Sequence, residues 1–411
     1  MSLAWHQRLS YYLLILIFLV YPFALKLCNA AILLFALNWL VWVAREPKKF
    51  EWRGWMMWLM IAAYMMTALS LLYSTNLKAA LFSLDKKMAL LILPLVIGSS
   101  PRITNKQFRS LMLVAIGSVA LAISICLIAA TYRKLMGVPG GFFWKDLTAP
   151  LSEFHPTYFS LYINFLAAWL IIYLIENWEK EAFWTTRLAF AVIIFFYSAL
   201  ILLSSKIHLM LAGAIPLIIV ICYLNKFQLK FAIPALLLIF SVSALILKGT
   251  KAAERFKHIN TLSYELDSPV STFNEFTIRL ALAECSWHIL KNDPVFGVGA
   301  GDVYDELDKI YRKVDYKYGY LDQQNPHNEY LSQWLATGLI GLILMLAILY
   351  LMLTTALRKK QYDFLILLIL FIITFAVESA LERQKGIVLY SLLTSLYVFR
   401  EKSPVRKYDT K

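Results

Sequence analysis

The stretch NPHNEYLSQWLATGLIGL, residues 325–342, begins polar and ends as hydrocarbon. Asn325, His327, Asn328 and Glu329 come first; Tyr330 then opens an apolar run that carries glycines at 338 and 341 and continues to about residue 352. A helix crosses a bilayer with roughly 20 apolar residues, and this run reaches that length. The stretch therefore reads as the mouth of a membrane span, with a histidine and an asparagine placed where water gives way to lipid. That reading decides the class of fold.

The rest of the chain agrees with it. Of 411 residues, 60% are hydrophobic and 16% charged, whereas a soluble domain carries about a quarter charged residues. Spans are expected near 9–25, 28–44, 55–74, 87–99, 110–132, 158–176, 188–204, 207–224, 231–248, 330–352, 364–379 and 387–399. The chain is thus read as an all-α polytopic membrane protein with about twelve transmembrane helices. A barrel would show short alternating strands instead. The opening segment has only a superficial likeness to a signal peptide: it lacks a small-residue cleavage site and is kept as the first helix. The formal charge of +14 does not point to nucleic acid, because the basic residues lie between spans rather than in one patch. Cys28, Cys126, Cys222 and Cys285 are scattered, with neither metal spacing nor a disulfide framework.

Orientation follows from the loops. With the N-terminus inside, the inner segments hold Arg45, Lys48, Lys49 and Arg53, then Arg102, Lys106 and Arg109, then Lys226 and Lys230, then Arg358, Lys359 and Lys360, and the basic tail. This obeys the positive-inside rule. Residues 1–248 form the first block of spans, 249–329 one large outer loop, and 330–411 the last spans and the tail. A loop of that length is functional or disordered rather than a mere connector. Within it, Phe273, Phe276, Leu280, Ala283, Trp287 and Leu290 recur at helical spacing and predict an amphipathic helix lying on the membrane core. Asn292-Asp293-Pro294 would stop that helix.

Several residues in this setting have two readings each. His327 is either a general base at the span mouth or an interfacial histidine at a helix start, with Asn328 as N-cap. Gly338 and Gly341 permit close helix contact or make room for a ligand. Arg279 either pairs with Glu275 one turn away or clamps a phosphate. Lys206, between two apolar runs, either snorkels or marks a site. Gly297, Gly299 and Gly301 in PVFGVGAGD form a flexible turn or offer amides to an anion. Lys86 and Lys87, at the outer mouth of the fourth expected span, meet headgroups or bind anionic lipid. His155, ahead of Pro156, marks the end of the second outer loop.

Taken together, His327-Asn328, nine residues, Gly338, two residues and Gly341 resemble the signature of the O-antigen ligase and polymerase superfamily. The segment FTIRLALAECSWHILKNDPVFGVGAG, residues 276–301, is similar to that family's loop helix and P-x-x-G-x-G-x-G turn, with Arg279 as the family arginine. A second family arginine, at the outer turn between spans seven and eight, is replaced here by Lys206 in LLSSK, which presents a point charge in place of a planar fork.

The resemblance implies a GT-C-like bundle with a large periplasmic loop containing amphipathic helices. It implies a glycosyltransferase that moves a glycan from undecaprenyl pyrophosphate to an acceptor hydroxyl. A ligase acting on lipid A–core is the first expectation. A polymerase or a protein O-oligosaccharyltransferase is the alternative within the superfamily, and a flippase the alternative of another class. His327 would be the catalytic residue. Arg279, Lys206 and Lys87 would bind the pyrophosphate, and Asn328, Gly338, Gly341, Gly297 and Gly299 would be structural. No cofactor or metal is expected. The expected location is the bacterial inner membrane, with a periplasmic site and cytoplasmic termini.

Overall fold

The computed structural model describes residues 3–47, 54–151, 154–223, 265–267 and 273–401. The expected span 231–248, the loop segment 249–264 and the basic stretches 48–53, 224–230 and 402–411 lie outside the described residues. Everything regular that is described is helical. In chain order the helices are α1 (Leu3–Val20), α2 (Leu25–Arg45), α3 (Gly54–Ser70), α4 (Leu77–Lys86), α5 (Ala89–Ser99), α6 (Asn105–Leu135), α7 (Trp144–Thr148), α8 (Pro156–Asn177), α9 (Phe183–Leu203) and α10 (Lys206–Cys222). After the gap come α11 (Glu275–Leu290), α12 (Val303–Lys313), α13 (Lys317–Leu321), α14 (Glu329–Arg358), α15 (Tyr362–Val377) and α16 (Gln384–Phe399).

Five of these are long and apolar enough to cross a membrane: α2, α6, α8, α9 and α14. Shorter apolar helices include Trp5–Val20, α3, α10 and α15. The chain is embedded in a membrane on this evidence. One expected span fails by geometry. The run at 87–99 is helical only over α5, and the 11 residues of α5 extend roughly 16 Å, about half the hydrocarbon thickness. Pro94 lies inside α5, so its apolar character reflects burial between α3 and α16 rather than a full crossing.

α8 is the centre of the bundle. Its most apolar window is 83% buried, against 33% for α2. α9, α10 and α15 pack around it. On α2, Leu33, Leu34, Leu37, Leu40 and Val41 face outward, the exterior a hydrocarbon solvent requires and a water-facing helix would not show.

The large loop brings its own core. Ala281, Leu282, Cys285 and Ile289 of α11 close on Leu307 and Tyr311 of α12 and on Leu335 and Ala336 of α14. α11 begins at a capping box: Asn274 Oδ1 accepts from the amides of Phe276 and Thr277, and Thr277 Oγ1 accepts from the Asn274 amide. The expected apolar stripe is corrected here. Phe276, Leu280 and Trp287 are exposed, while Thr277, Ala281, Cys285 and Ser286 face inward. Its polar residues fall on two opposite sides of the helix, with Glu275, Arg279 and Ser286 on one and Thr277, Glu284 and His288 on the other, so periodicity could not choose the face. The small residues define the buried side because they allow the backbones to approach.

The glycines meet one another. At Gly338 the backbone leaves helical geometry, with φ 69° and ψ −172°, and α14 kinks. The amide of Leu339 donates to Pro294 O (3.0 Å) instead of to Leu335, and Leu335 O accepts from Val298 N (2.8 Å). Trp334 Nε1 also donates to Pro294 O. The turn 294–301 thus repairs the broken helix, as backbone at membrane depth must be repaired. A Cβ at Gly338 would lie 2.0 Å from Val295 O, and one at Gly297 would lie 2.3 Å from Leu335 O. Neither the shared helix face expected for Gly338 and Gly341 nor the free turn expected at 297–301 is found. Amides 298, 300 and 301 are already donating, to Leu335 O, Ser70 Oγ and Ser74 Oγ, so no amide cradle for an anion is open there.

A second tie sits at the end of α4. Lys87 is 2% exposed, and its Nζ lies 2.6 Å from Glu382 Oε1, while Lys86 Nζ lies 2.9 Å from Oε2. Glu329, fully buried, accepts from Leu381 N at 2.7 Å. Both lysines therefore hold the turn 380–382 rather than meeting lipid headgroups.

Two outcomes are expected. Gly338→Ala adds a clash and places a side chain at positive φ, a backbone cost of about 1–3 kcal/mol before the overlap is counted. It should lower the apparent thermal midpoint of the detergent-purified protein strongly. Gly117→Ala, where a Cβ meets open space, should leave that midpoint nearly unchanged. The second outcome concerns acid. Burial would raise the Glu382 carboxyl, but Lys87 and Lys86 outweigh it and hold it down to about 2, from an ordinary value of 4.5. A depressed carboxyl stabilises fully above about pH 4.5 and loses that contribution as pH falls towards 2, a term on the order of 3 kcal/mol. The midpoint of the wild type should fall between pH 5 and 3. Glu382→Gln should lower the midpoint at pH 7 and flatten this acid limb.

Candidate functional site

The site is built where the start of α14 meets the end of α15. Asn328 caps α14: its Oδ1 accepts from Leu331 N at 3.1 Å, satisfying one of the free amides of the first turn. The same residue ties the two helices together, because Nδ2 donates to Ala376 O and the backbone amide donates to Ser379 Oγ. Ser332 and Ser379 share a hydrogen bond at 2.8 Å. Residues 327–332 are thus fastened to residues 376–381 along their length.

His327 precedes this cap with φ +46°. Left-handed backbone is uncommon for a residue with a Cβ and is characteristic of constrained functional positions. Asn325 Oδ1 accepts from the His327 amide at 2.9 Å and supports the turn. The ring then lies between two partners. Nδ1 is 3.1 Å from Glu378 Oε2, and Nε2 is 2.9 Å from Gln324 Oε1. A carboxylate can only accept, so Nδ1 donates in this pair; Nε2 offers a lone pair only when the Gln324 amide is turned so that its NH₂ group, rather than Oε1, meets the ring.

Glu378 is the link to the cations. Its other oxygen, Oε1, is 3.5 Å from Arg279 Nη2. Arg279 is fixed by two further bonds, Nε to Val377 O at 3.0 Å and Nη1 to Glu275 O at 2.7 Å. The expected side-chain pair of Arg279 with Glu275 is therefore replaced by a bond to the Glu275 carbonyl. The Glu275 carboxylate turns to Lys206, with Nζ–Oε2 at 3.3 Å. Lys206 reaches this point because Ser204 ends α9 in the left-handed conformation (φ 51°) and α10 starts two residues later.

Lys206, Glu275, Arg279, Glu378 and His327 consequently form one chain of contacts. Lys87 stands in the separate Glu382 cluster described above, and Gly297, Gly299, Gly338 and Gly341 lie in the supporting junction. Burial raises the Glu378 carboxyl, but the His327 hydrogen bond and the charges of His327 and Arg279 outweigh it, so its pKa lies below the ordinary carboxylate value. His155, the N-cap of α8, faces the same carboxylate; burial pulls its pKa down to about 4, which keeps the ring neutral at physiological pH.

Glu378 and Gln324 are the two members that sequence reasoning missed. Glu378 carried a usable signal: it is an ionisable residue at the end of an apolar run, on the same side as His327. Gln324 carried none, since its role depends on the fold of residues 319–327.

What this arrangement can do chemically is specific. An imidazole held by Glu378 at Nδ1 and resting against the Gln324 side chain at Nε2 shares one chain of contacts with a guanidinium and an ammonium, each held by an acidic partner. It can accept a proton and neutralise an anion in one place. Among the described residues no group of histidine, cysteine, aspartate and glutamate has metal-binding geometry.

No curated protein matches the chain. A family model described as O-antigen ligase matches residues 189–346. The matched segment contains Lys206, Arg279, His327, Asn328 and the glycine junction, and it ends before Glu378. Over that segment, which holds much of the site, the chain is similar to the O-antigen ligase family.

Proposed function

We propose that the protein transfers a glycan from undecaprenyl pyrophosphate to an acceptor hydroxyl at the periplasmic face of the inner membrane, most closely as an O-antigen ligase with lipid A–core as acceptor. The observation that carries this reading is the single carboxylate of Glu378, which joins His327 and Arg279 at 3.1 and 3.5 Å and makes base and anion partner one unit.

In this reaction the acceptor oxygen attacks the anomeric carbon of the donor. The C1–O bond to the diphosphate breaks, and the bonding pair leaves with undecaprenyl pyrophosphate. The acceptor proton passes to His327 Nε2, whose Nδ1–H is held by Glu378. The position of the Gln324 side chain against Nε2 marks where an acceptor hydroxyl comes within reach. Arg279 and Lys206 oppose the charge that develops on the leaving diphosphate, a form of electrostatic assistance that serves best when preorganised. Diphosphate is already a good leaving group, so no strong general acid is needed. The polyprenyl chain lies among the apolar helices while the sugars remain in water. This is the reason for a base at the lipid–water boundary. A polymerase would run the same steps with a second lipid-linked repeat as acceptor.

The test is transfer by the purified protein from a defined undecaprenyl-pyrophosphate glycan to lipid A–core, to a second lipid-linked glycan, or to a protein acceptor. His327→Ala should reduce the rate by about 10²- to 10⁴-fold while the protein elutes and melts normally; near-normal turnover by that variant removes the catalytic assignment. Lys206→Arg should stay active and Lys206→Ala should not. Activity should persist in EDTA, and a loss reversed by Mg²⁺ would contradict a metal-free reaction.

A further inference from the structure

Arg279, Lys206, Lys86 and Lys87 each face a carboxylate. Two further cations at the same end of the bundle do not. Arg383, the residue before α16, and Lys145, on α7, are exposed, and neither has an ion-pair partner among the described residues. The nearby carboxylates are engaged elsewhere: Glu378 with Arg279 and His327, Glu382 with Lys86 and Lys87, and Asp146 Oδ2 with the Gly141 amide at 3.0 Å.

Packing brings these two cations to one place. Lys385 Nζ lies 4.0 Å over the Phe154 ring, which sets the start of α16 against the start of α8. His155 follows Phe154, and its ring meets Trp144, the neighbour of Lys145, edge to face at 5.3 Å. The charges of Lys145 and Arg383 both reach the His155 ring, and Arg383 also reaches the hydroxyl of Tyr304. Tyr304, 44% exposed, meets the Asn325 side chain. Asn325 adjoins Gln324, which lies against His327 Nε2. Helix ends add to the positive charge. α8 and α16, of 22 and 16 residues, both start here, and a helix carries the positive end of its dipole at its start. An N-cap is normally a side chain that accepts from the first amides. Here Arg383 makes no cap bond, and His155 meets Thr157 N only at 3.4 Å. Trp144 holds a positive φ of 56°, an outlier for a bulky residue that the surrounding structure must impose.

We propose that Arg383 and Lys145 bind a phosphate group carried by the saccharide acceptor. This rests on the transfer reaction proposed above and adds the chemistry of its acceptor. The guanidinium fork of Arg383 suits phosphate oxygens, and the Lys145 ammonium and the starts of α8 and α16 add positive field. Half-buried Trp144 and exposed Tyr304 give the attached sugar aromatic surface to rest on. Because Arg383 reaches Tyr304 and Tyr304 meets Asn325, the phosphate lies on the Gln324 side of His327, where the acceptor hydroxyl approaches Nε2. The donor diphosphate keeps Arg279 and Lys206. Donor and acceptor anions then have separate cations and do not compete for one set.

The experiment measures dissociation constants of the full-length detergent-purified protein, without donor, for lipid A–core before and after alkaline phosphatase treatment. The constant for the undecaprenyl-pyrophosphate glycan is measured separately. Dephosphorylation should weaken wild-type binding about tenfold, the scale of one charge-assisted contact. Arg383→Gln should weaken binding of the phosphorylated form about fivefold to tenfold and remove most of the preference for it, and Arg383→Lys should keep part of that preference. Lys145→Gln should cost about threefold, as an exposed ammonium does. Both side chains are exposed, so the variants should melt as the wild type does. Equal affinity of the wild type for the two forms overturns the proposal, as does a preference unchanged when both residues are replaced by Gln. A loss of donor affinity of about tenfold in Arg383→Gln, with acceptor affinity unchanged, would move Arg383 to the diphosphate site and overturn the acceptor assignment. Transfer by the same preparation separates the two readings. Transfer with equal affinity for both acceptor forms removes only the phosphate site; a phosphate preference that Arg383→Gln abolishes, without transfer to any acceptor, supports the site and removes only the reaction.

Discussion

The break in α14 at Gly338 is the constraint on which the half of the molecule that carries the site depends. A helix that leaves its ladder strands one carbonyl and one amide, and in hydrocarbon neither can turn to water. Here Leu335 O and Leu339 N are taken up by Val298 N and Pro294 O. This exchange docks the turn 294–301 against the first turns of α14. α11, which carries Arg279, ends immediately before that turn. The same contact that repairs the helix therefore sets the distance between the arginine and His327. Glycine is required on both sides, because any Cβ at Gly297 or Gly338 would overlap main-chain atoms of the other segment.

On this frame the charges are arranged in pairs. Arg279 is balanced by Glu378, Lys206 by Glu275, and Lys86 and Lys87 by Glu382. Isolated cations at the edge of a membrane would be costly to dehydrate and mobile. Paired with carboxylates, they are balanced in charge and fixed in direction. The pairing of Glu378 is the most consequential, since one carboxylate sets both the tautomer of His327 and the position of the guanidinium. In the proposed reaction a diphosphate would meet donors held in place before it arrives.

The membrane class, the helix that opens at Asn328 and the stop of α11 before Pro294 were readable from residue order, because each depends on local hydrophobicity, capping or the missing proline amide. His327, Arg279 and Lys206 were also readable as candidates, because polar residues at the ends of apolar runs stand out from their surroundings. The buried face of α11 was not, since polar residues on two opposite sides of a helix do not single out one apolar face. Nor was the fate of Lys87: a lysine at a span end looks the same in sequence whether it reaches a headgroup or a buried glutamate nearly 300 residues away.

What the sequence determined by itself is therefore the local part: which segments are helical, which are apolar enough for lipid, and which short motif opens α14. The tertiary structure alone decided the partners. Glu378 with His327 and Arg279, the turn at 294–301 with the kink at Gly338, and Lys87 with Glu382 all join residues far apart in the chain. Their contacts arise from packing whole helices side by side, and no spacing along the chain encodes which helix ends will meet.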